Sequence, residues 1–194
     1  MEVKLEKRYP VAVDAARAWS VLRDVRAVAG CMPGAAITEQ IDDSHYKGTV
    51  KLKVGPATAQ FSGDIEVLGL DAAGRRMQLH GKGADKGGSS AAMELTAVIE
   101  PGDKAEECVL FGTSTVTVSG KFAQFGGRMM GQVSDLMLSQ FVDNFRAVAT
   151  ALPAAEGGAA APARPAGELN ALAILWMLIK GWFARLFGKP ASHG

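Results

Sequence analysis

The chain has 194 residues, 48% of them hydrophobic, and a formal net charge of +1, which fits one domain with an appendage and enough apolar content to bury a core. So balanced a charge makes no electrostatic case for nucleic acid. The two cysteines, Cys31 and Cys108, are too few for a disulfide framework and lack metal-ligand spacing, so reduced thiols in a domain facing the cytoplasm are expected.

The N-terminal stretch MEVKLEKRYPVAV contains no apolar signal-type segment and reads as a strand over residues 3–11. Asp14 is placed to cap a short helix through Leu22, with Trp19 and Leu22 inward, and Asp24 to cap a second through Ala29. The string Gly30-Cys31-Met32-Pro33-Gly34 should break that second helix. Strands are predicted at 35–41, 44–54, 57–71, 75–83, 89–100 and 108–120, separated by Asp-, Gly- and Pro-containing turns. Alternation marks their faces: Tyr46, Gly48, Val50 and Leu52 against the lysines Lys47, Lys51 and Lys53, and Phe61, Gly63, Ile65 and Val67 against Asp64 and Glu66. The result is an antiparallel sheet with one covered face and one wet face.

Residues 126–151 read as a long helix, with Met129, Met130, Val133, Met137, Phe141 and Phe145 at helical spacing. The segment PAAEGGAAAPARPAG comes next, without a large apolar residue, and reads as a tether of roughly 20–25 Å root-mean-square span. The organisation is therefore a domain at 1–152, a linker at 153–167 and a tail at 168–194. On a helical wheel the tail gathers Leu172, Leu175, Trp176, Ile179, Trp182, Phe183, Leu186 and Phe187 on one broad face. Its uninterrupted apolar run, Ala171 to Ile179, is far short of the about 20 residues of a membrane span, and Lys180 and Arg185 interrupt the second half of the tail. An amphipathic helix lying in the membrane interface is expected. The positive excess also lies beyond Leu152, where Arg164, Lys180, Arg185 and Lys189 outnumber Glu156 and Glu168, as an anionic membrane would favour.

The order β–α–α–β₆–α describes an α+β, helix-grip (START-like) fold, a curved antiparallel sheet around a long C-terminal helix. Local strings sharpen this. They are Cys31-Met32-Pro33-Gly34-Ala35, Tyr46-Lys47-Gly48 leading to Val54-Gly55-Pro56, Phe61-Ser62-Gly63, Gly81-Lys82-Gly83, Ser119-Gly120-Lys121-Phe122-Ala123-Gln124-Phe125-Gly126, and Gln140-Phe141. With them the chain resembles the carbon monoxide dehydrogenase G-subunit family of the START-like (SRPBCC) superfamily. The resemblance implies an accessory protein rather than an enzyme, partnering a molybdenum-containing hydroxylase of the carbon monoxide dehydrogenase type. It also implies recruitment to the cytoplasmic face of the cell membrane, here peripherally through the C-terminal helix.

Catalytic signals are weak. His45, His80 and His193 fall in a turn, on a wet strand face and at a terminus, and no metal, P-loop, GxSxG or CxxC motif is present. Cys31 has no base near it in sequence, and the Lys47, Lys51, Lys53 stripe reads as a protective edge. No catalytic residue is therefore expected. Methionines on inward faces suit an adaptable apolar pocket, and START-like folds carry a cavity between sheet and helix. The expected lining is Phe61, Met77, Leu79, Met93, Leu95, Met129, Met130, Val133 and Met137, with Gly34, Phe122 and Phe125 near the mouth. Gly48, Gly63, Gly81 and Gly83 share this face and either make room or relieve the bend of the sheet. The expected occupant is a hydrophobic small molecule such as an isoprenoid quinone, menaquinone or ubiquinone. The alternatives are a small cyclase- or hydrolase-type enzyme of the same fold and a pure membrane anchor without a ligand.

Overall fold

The computed structural model describes residues 1–54 and 57–153. The expected linker beyond Pro153 and the tail at 168–194 lie outside the described residues. Strand β1 (Glu2–Val11) leads into α1 (Ala15–Leu22), and Asp14 accepts a bond from the Arg17 backbone N–H at 2.9 Å, capping the helix as its position requires. Asp24 caps α2 (Val25–Cys31) by accepting from the N–H groups of Arg26 (2.9 Å) and Ala27 (3.1 Å). The helix continues through Gly30 to Cys31, so Gly30 does not stop it. It ends where Met32 turns extended before Pro33, as the steric bulk of a proline ring favours for the residue preceding it.

Six strands come after these helices: β2 (Ala35–Gln40), β3 (His45–Val54), β4 (Ala57–Asp71), β5 (Arg76–Asp85), β6 (Ser90–Pro101) and β7 (Cys108–Ser119). They pair antiparallel in the order β1-β7-β6-β5-β4-β3-β2, so the chain's first strand closes one edge beside its last. This long-range β1–β7 pairing is the one sheet contact the chain order does not suggest. A 3₁₀ turn over Gly120–Phe125 then redirects the chain into α3 (Gly126–Ala151); so short a turn leaves no periodic signal in the sequence.

The curved sheet and its helices bury two apolar clusters. One joins α1, α2 and the C-terminal half of α3 to β1, β5, β6 and β7 through Trp19, Leu22, Met77, Ile99, Phe141 and Phe145. The other joins Ala59, Phe61, Val118 and Phe122 beside the 3₁₀ turn. The lysine-bearing strand β3 is an inner strand, paired with β2 over Ala35–Gln40 and with β4 on its other side. The expected protective edge therefore applies only beyond Lys51, where β2 has not yet begun.

Candidate functional site

The register across the sheet builds the concave face. Gly48 faces Gly63, Gly63 faces Gly83, and Gly83 faces Ala91, so a rib of minimal side chains crosses four strands. The two roles expected of these glycines divide between positions. A Cβ at Gly63 would collide with the Lys82 carbonyl oxygen, so this glycine permits the close backbone approach of a sharply bent sheet. A Cβ at Gly81 would meet the Met93 methyl at 3.8 Å and the Asp64 carbonyl oxygen at 4.0 Å, both ordinary contacts, so that position leaves room.

The two buried clusters meet where Met93 of β6 faces Val116 of β7. Each cluster ends on half-buried apolar side chains: Met93 and Leu95 on one, Met130, Val133 and Phe125 on the other. Met137 is likewise half-buried on α3. These form the apolar seam between sheet and helix. Phe61, Met77 and Leu79 are core residues at 7%, 0% and 6% exposure, Phe61 in the smaller cluster and Met77 and Leu79 in the larger. Three expected positions fall elsewhere. Met129 is turned out to 38% exposure, because Met130 takes the inward place on the helix. Phe122 is a core residue at 1% exposure, packed edge-on to Phe61 with ring centres 6.0 Å apart, and does not rim a mouth. Gly34 sits at the junction into β2 with φ +76°, its carbonyl accepting from the Lys51 N–H at 2.9 Å.

Helix α3 is held unevenly over this seam. Its C-terminal half is clamped: Asn144 Nδ2 donates to the Cys31 carbonyl at 2.9 Å, and Arg146 donates to the Pro10 carbonyl at 3.2 and 2.7 Å. Phe141, Val142, Phe145 and Ala149 are buried beneath it. Its N-terminal half contains Gly126, Gly127 and Gly131, has no side-chain cap, and begins at a residue with φ +76°. Between the halves, Lys7 Nζ reaches Asp135 Oδ1 at 2.9 Å. That hydrogen bond, with the Asp135 charge behind it, raises the Lys7 pKa above its usual value. Lys7 belongs to the site by register, since it faces Gly112 on the concave side between Leu5 and Tyr9. The signal is present in the sequence: a lysine at the apolar parity of Val3, Leu5, Tyr9 and Val11.

Titratable groups are sparse within this seam. Cys31 and Cys108 are buried free thiols, both pushed up to about 11 by burial. His45 lies at the start of β3, exposed, with Nδ1 at 2.9 Å from Asp42 Oδ1. Among the described residues no three His, Cys, Asp or Glu side chains gather as a metal site, and no helix is long and apolar enough to cross a membrane. A surface pocket at the α1–α2 end of the domain lies apart from the seam. A second, lined mostly by polar side chains of β1, β5, β6 and β7, also takes in Leu79 and Leu95.

The curved seven-stranded sheet gripping a long C-terminal helix is that of the START superfamily. A START superfamily protein from Mycobacterium smegmatis superposes with a TM-score of 0.53 at 16% identity, covering 76% of this chain and 97% of that one. A conserved protein from Geobacillus kaustophilus matches with a TM-score of 0.69 at 21% identity, over 76% and 95% of the two chains. The ZhuI aromatase/cyclase from Streptomyces sp. R1128 matches at 0.57 and 16% identity, over 77% and 94%. At these identities the likeness establishes the fold alone, and the fold serves catalysts and non-catalysts alike. Comparison with curated proteins gives no match. The family model for the carbon monoxide dehydrogenase G subunit (CoxG) matches residues 8–150, and the chain belongs to that family. Membership supports an accessory role in association with carbon monoxide dehydrogenase.

Proposed function

We propose that the protein recruits a molybdenum-containing, carbon monoxide dehydrogenase-type hydroxylase to the cytoplasmic face of the membrane and carries an apolar ligand, an isoprenoid quinone such as menaquinone or ubiquinone, along the seam under α3. The observation that carries this reading is the set of half-buried apolar side chains left on the sheet, Met93 and Leu95, and along α3, Met130, Val133 and Met137. Flexible thioether chains conform to a ligand of irregular outline, and lifting the glycine-rich half of α3 leaves its clamped half in place. The protein contributes binding and position; the redox chemistry belongs to the quinone and to the partner enzyme. Thiols held near 11 are poor nucleophiles at neutral pH, which argues against a covalent reaction at Cys31 or Cys108. The tail face of Leu172, Leu175, Trp176, Ile179, Trp182, Phe183, Leu186 and Phe187 supplies the membrane contact in this reading.

Native mass spectrometry and organic extraction of the purified full chain test the carrier role: a co-purifying quinone or lipid is expected. Met93→Trp and Val133→Trp should each abolish that binding while tail-dependent sedimentation with liposomes persists. Binding that survives both changes in a folded protein would remove the seam as the site, and the absence of any co-purifying quinone or lipid would leave only the anchor.

A further inference from the structure

At the α1–α2 end of the domain a pocket of about 470 Å³ opens to solvent. Its residues differ entirely from those of the seam. Trp19 of α1 and Tyr46 of β3 are each only 8% exposed, and with Val25 of α2 they offer apolar surface. Leu70, half exposed at the end of β4, adds a further apolar wall. The Tyr46 hydroxyl donates to the Asp43 carbonyl at 3.1 Å, which fixes the ring.

Arg23 and Arg26 line the same pocket. Neither has a carboxylate partner among the described residues, in contrast to Arg8 with Glu100, Arg17 with Asp14 and Arg146 with Asp143. Arg26 reaches only the neutral Gln40 side-chain oxygen, at 3.3 Å. The one acid in the lining, Asp24, spends Oδ1 on the first-turn N–H groups of α2. Two guanidinium groups and one carboxylate leave the lining with a net charge of +1 (2 − 1). Guanidinium forks suit a planar oxyanion, and aromatic walls suit a flat apolar body. A single positive charge matches a monoanion better than a dianion, and the volume lies in the range of small-molecule sites.

We propose that this pocket binds a planar aromatic monocarboxylate, its carboxylate held by Arg23 and Arg26 and its ring lying against Trp19 and Tyr46. The site is separate from the seam under α3 and stands whether or not the seam carries a quinone.

The test uses the full chain with 1-naphthoate, the neutral 1-naphthalenemethanol and inorganic phosphate, by calorimetry and by the indole N–H signals in nuclear magnetic resonance. Trp19→Phe assigns the Trp19 signal. Naphthoate should bind saturably, shift that signal, and bind at least about tenfold more tightly than the alcohol, as a charge-assisted bond predicts. The double variant Arg23→Met/Arg26→Met should bring the two ligands to equal affinity. Arg26→Lys, which keeps the charge and loses the fork, should fall between. The Met93→Trp and Val133→Trp variants should leave naphthoate binding unchanged. Equal affinity for acid and alcohol in the unaltered chain overturns the proposal, as does phosphate binding as tightly as naphthoate. So does naphthoate binding that is absent, insensitive to the arginines, or lost on filling the seam.

Discussion

Cys31 closes α2 with no exposed surface, and Cys108 opens β7 at 1% exposure. Their burial couples thiol chemistry to folding. Both titrate near 11 in the folded chain against an ordinary value of 9.0, so the folded state holds its protons where the unfolded chain gives them up. Their contribution to stability is full below 9.0 and is lost as pH rises from there towards 11. The urea midpoint should fall more steeply between about pH 8.5 and about pH 10.5 in the unaltered chain than in Cys31→Ala/Cys108→Ala. Neither thiol should react with a disulfide reagent in the native state at neutral pH. His45 runs in a milder version of the same direction: the Asp42 hydrogen bond raises it above 6.5, so that its contribution is present below 6.5 and lost as pH climbs through the raised value. At Gly63 the constraint is steric, and Gly63→Ala should be strongly destabilising because the new methyl has only the β5 backbone to push against. Phe145, at 0% exposure, should cost about 3–5 kcal/mol when cut to Ala, read from denaturant unfolding.

At the scale of elements, α3 is two helices in one. Residues 141–149 combine buried aromatics with the Asn144 and Arg146 bonds to distant carbonyls, whereas residues 126–133 hold three glycines and no side-chain cap. Amide hydrogen exchange should therefore be markedly faster in the first two turns than around Phe145. Gly131 is helical, and a Cβ there meets nothing within 4 Å. Gly131→Ala should stabilise the domain by about 0.5–1 kcal/mol through the backbone entropy of the unfolded chain. If the seam admits its ligand by loosening of this half-helix, the same substitution should slow ligand uptake while raising the thermal midpoint.

At the scale of the whole molecule, both buried clusters among the described residues draw on the stretch from Val11 to Leu152, with Tyr9 packed on the larger one and Met1 on the smaller. A chain ending at Leu152 is accordingly expected to fold and to stay monodisperse in size-exclusion chromatography. Leu175→Ser/Trp182→Ser/Phe183→Ser in the full chain should release it from liposomes without changing its unfolding midpoint. Unfolding of the shortened chain would make the tail part of the core.

Element order, the Asp14 and Asp24 caps, the strand faces and the long last helix are all legible in the sequence, because each is a local signal: a capping side chain, a period of two, a period near 3.6. The strings around Pro33-Gly34 and Phe122 point to the family that the match over residues 8–150 establishes. Tertiary structure alone decided what depends on residues far apart in the chain. The pairing of β1 with β7 placed Lys7 opposite Asp135. The sharp bend of the sheet separated the role of Gly63 from that of Gly81. A helix rotation of one residue sent Met129 outward and Met130 inward, and the 3₁₀ turn drew Phe122 into the core. Arg23 and Gln40 came together around Trp19 only when two short helices folded against the β2–β4 end of the sheet. Periodicity tells which face a side chain takes; what stands across from that face is set by packing between elements, and a one-residue pattern carries no information about it.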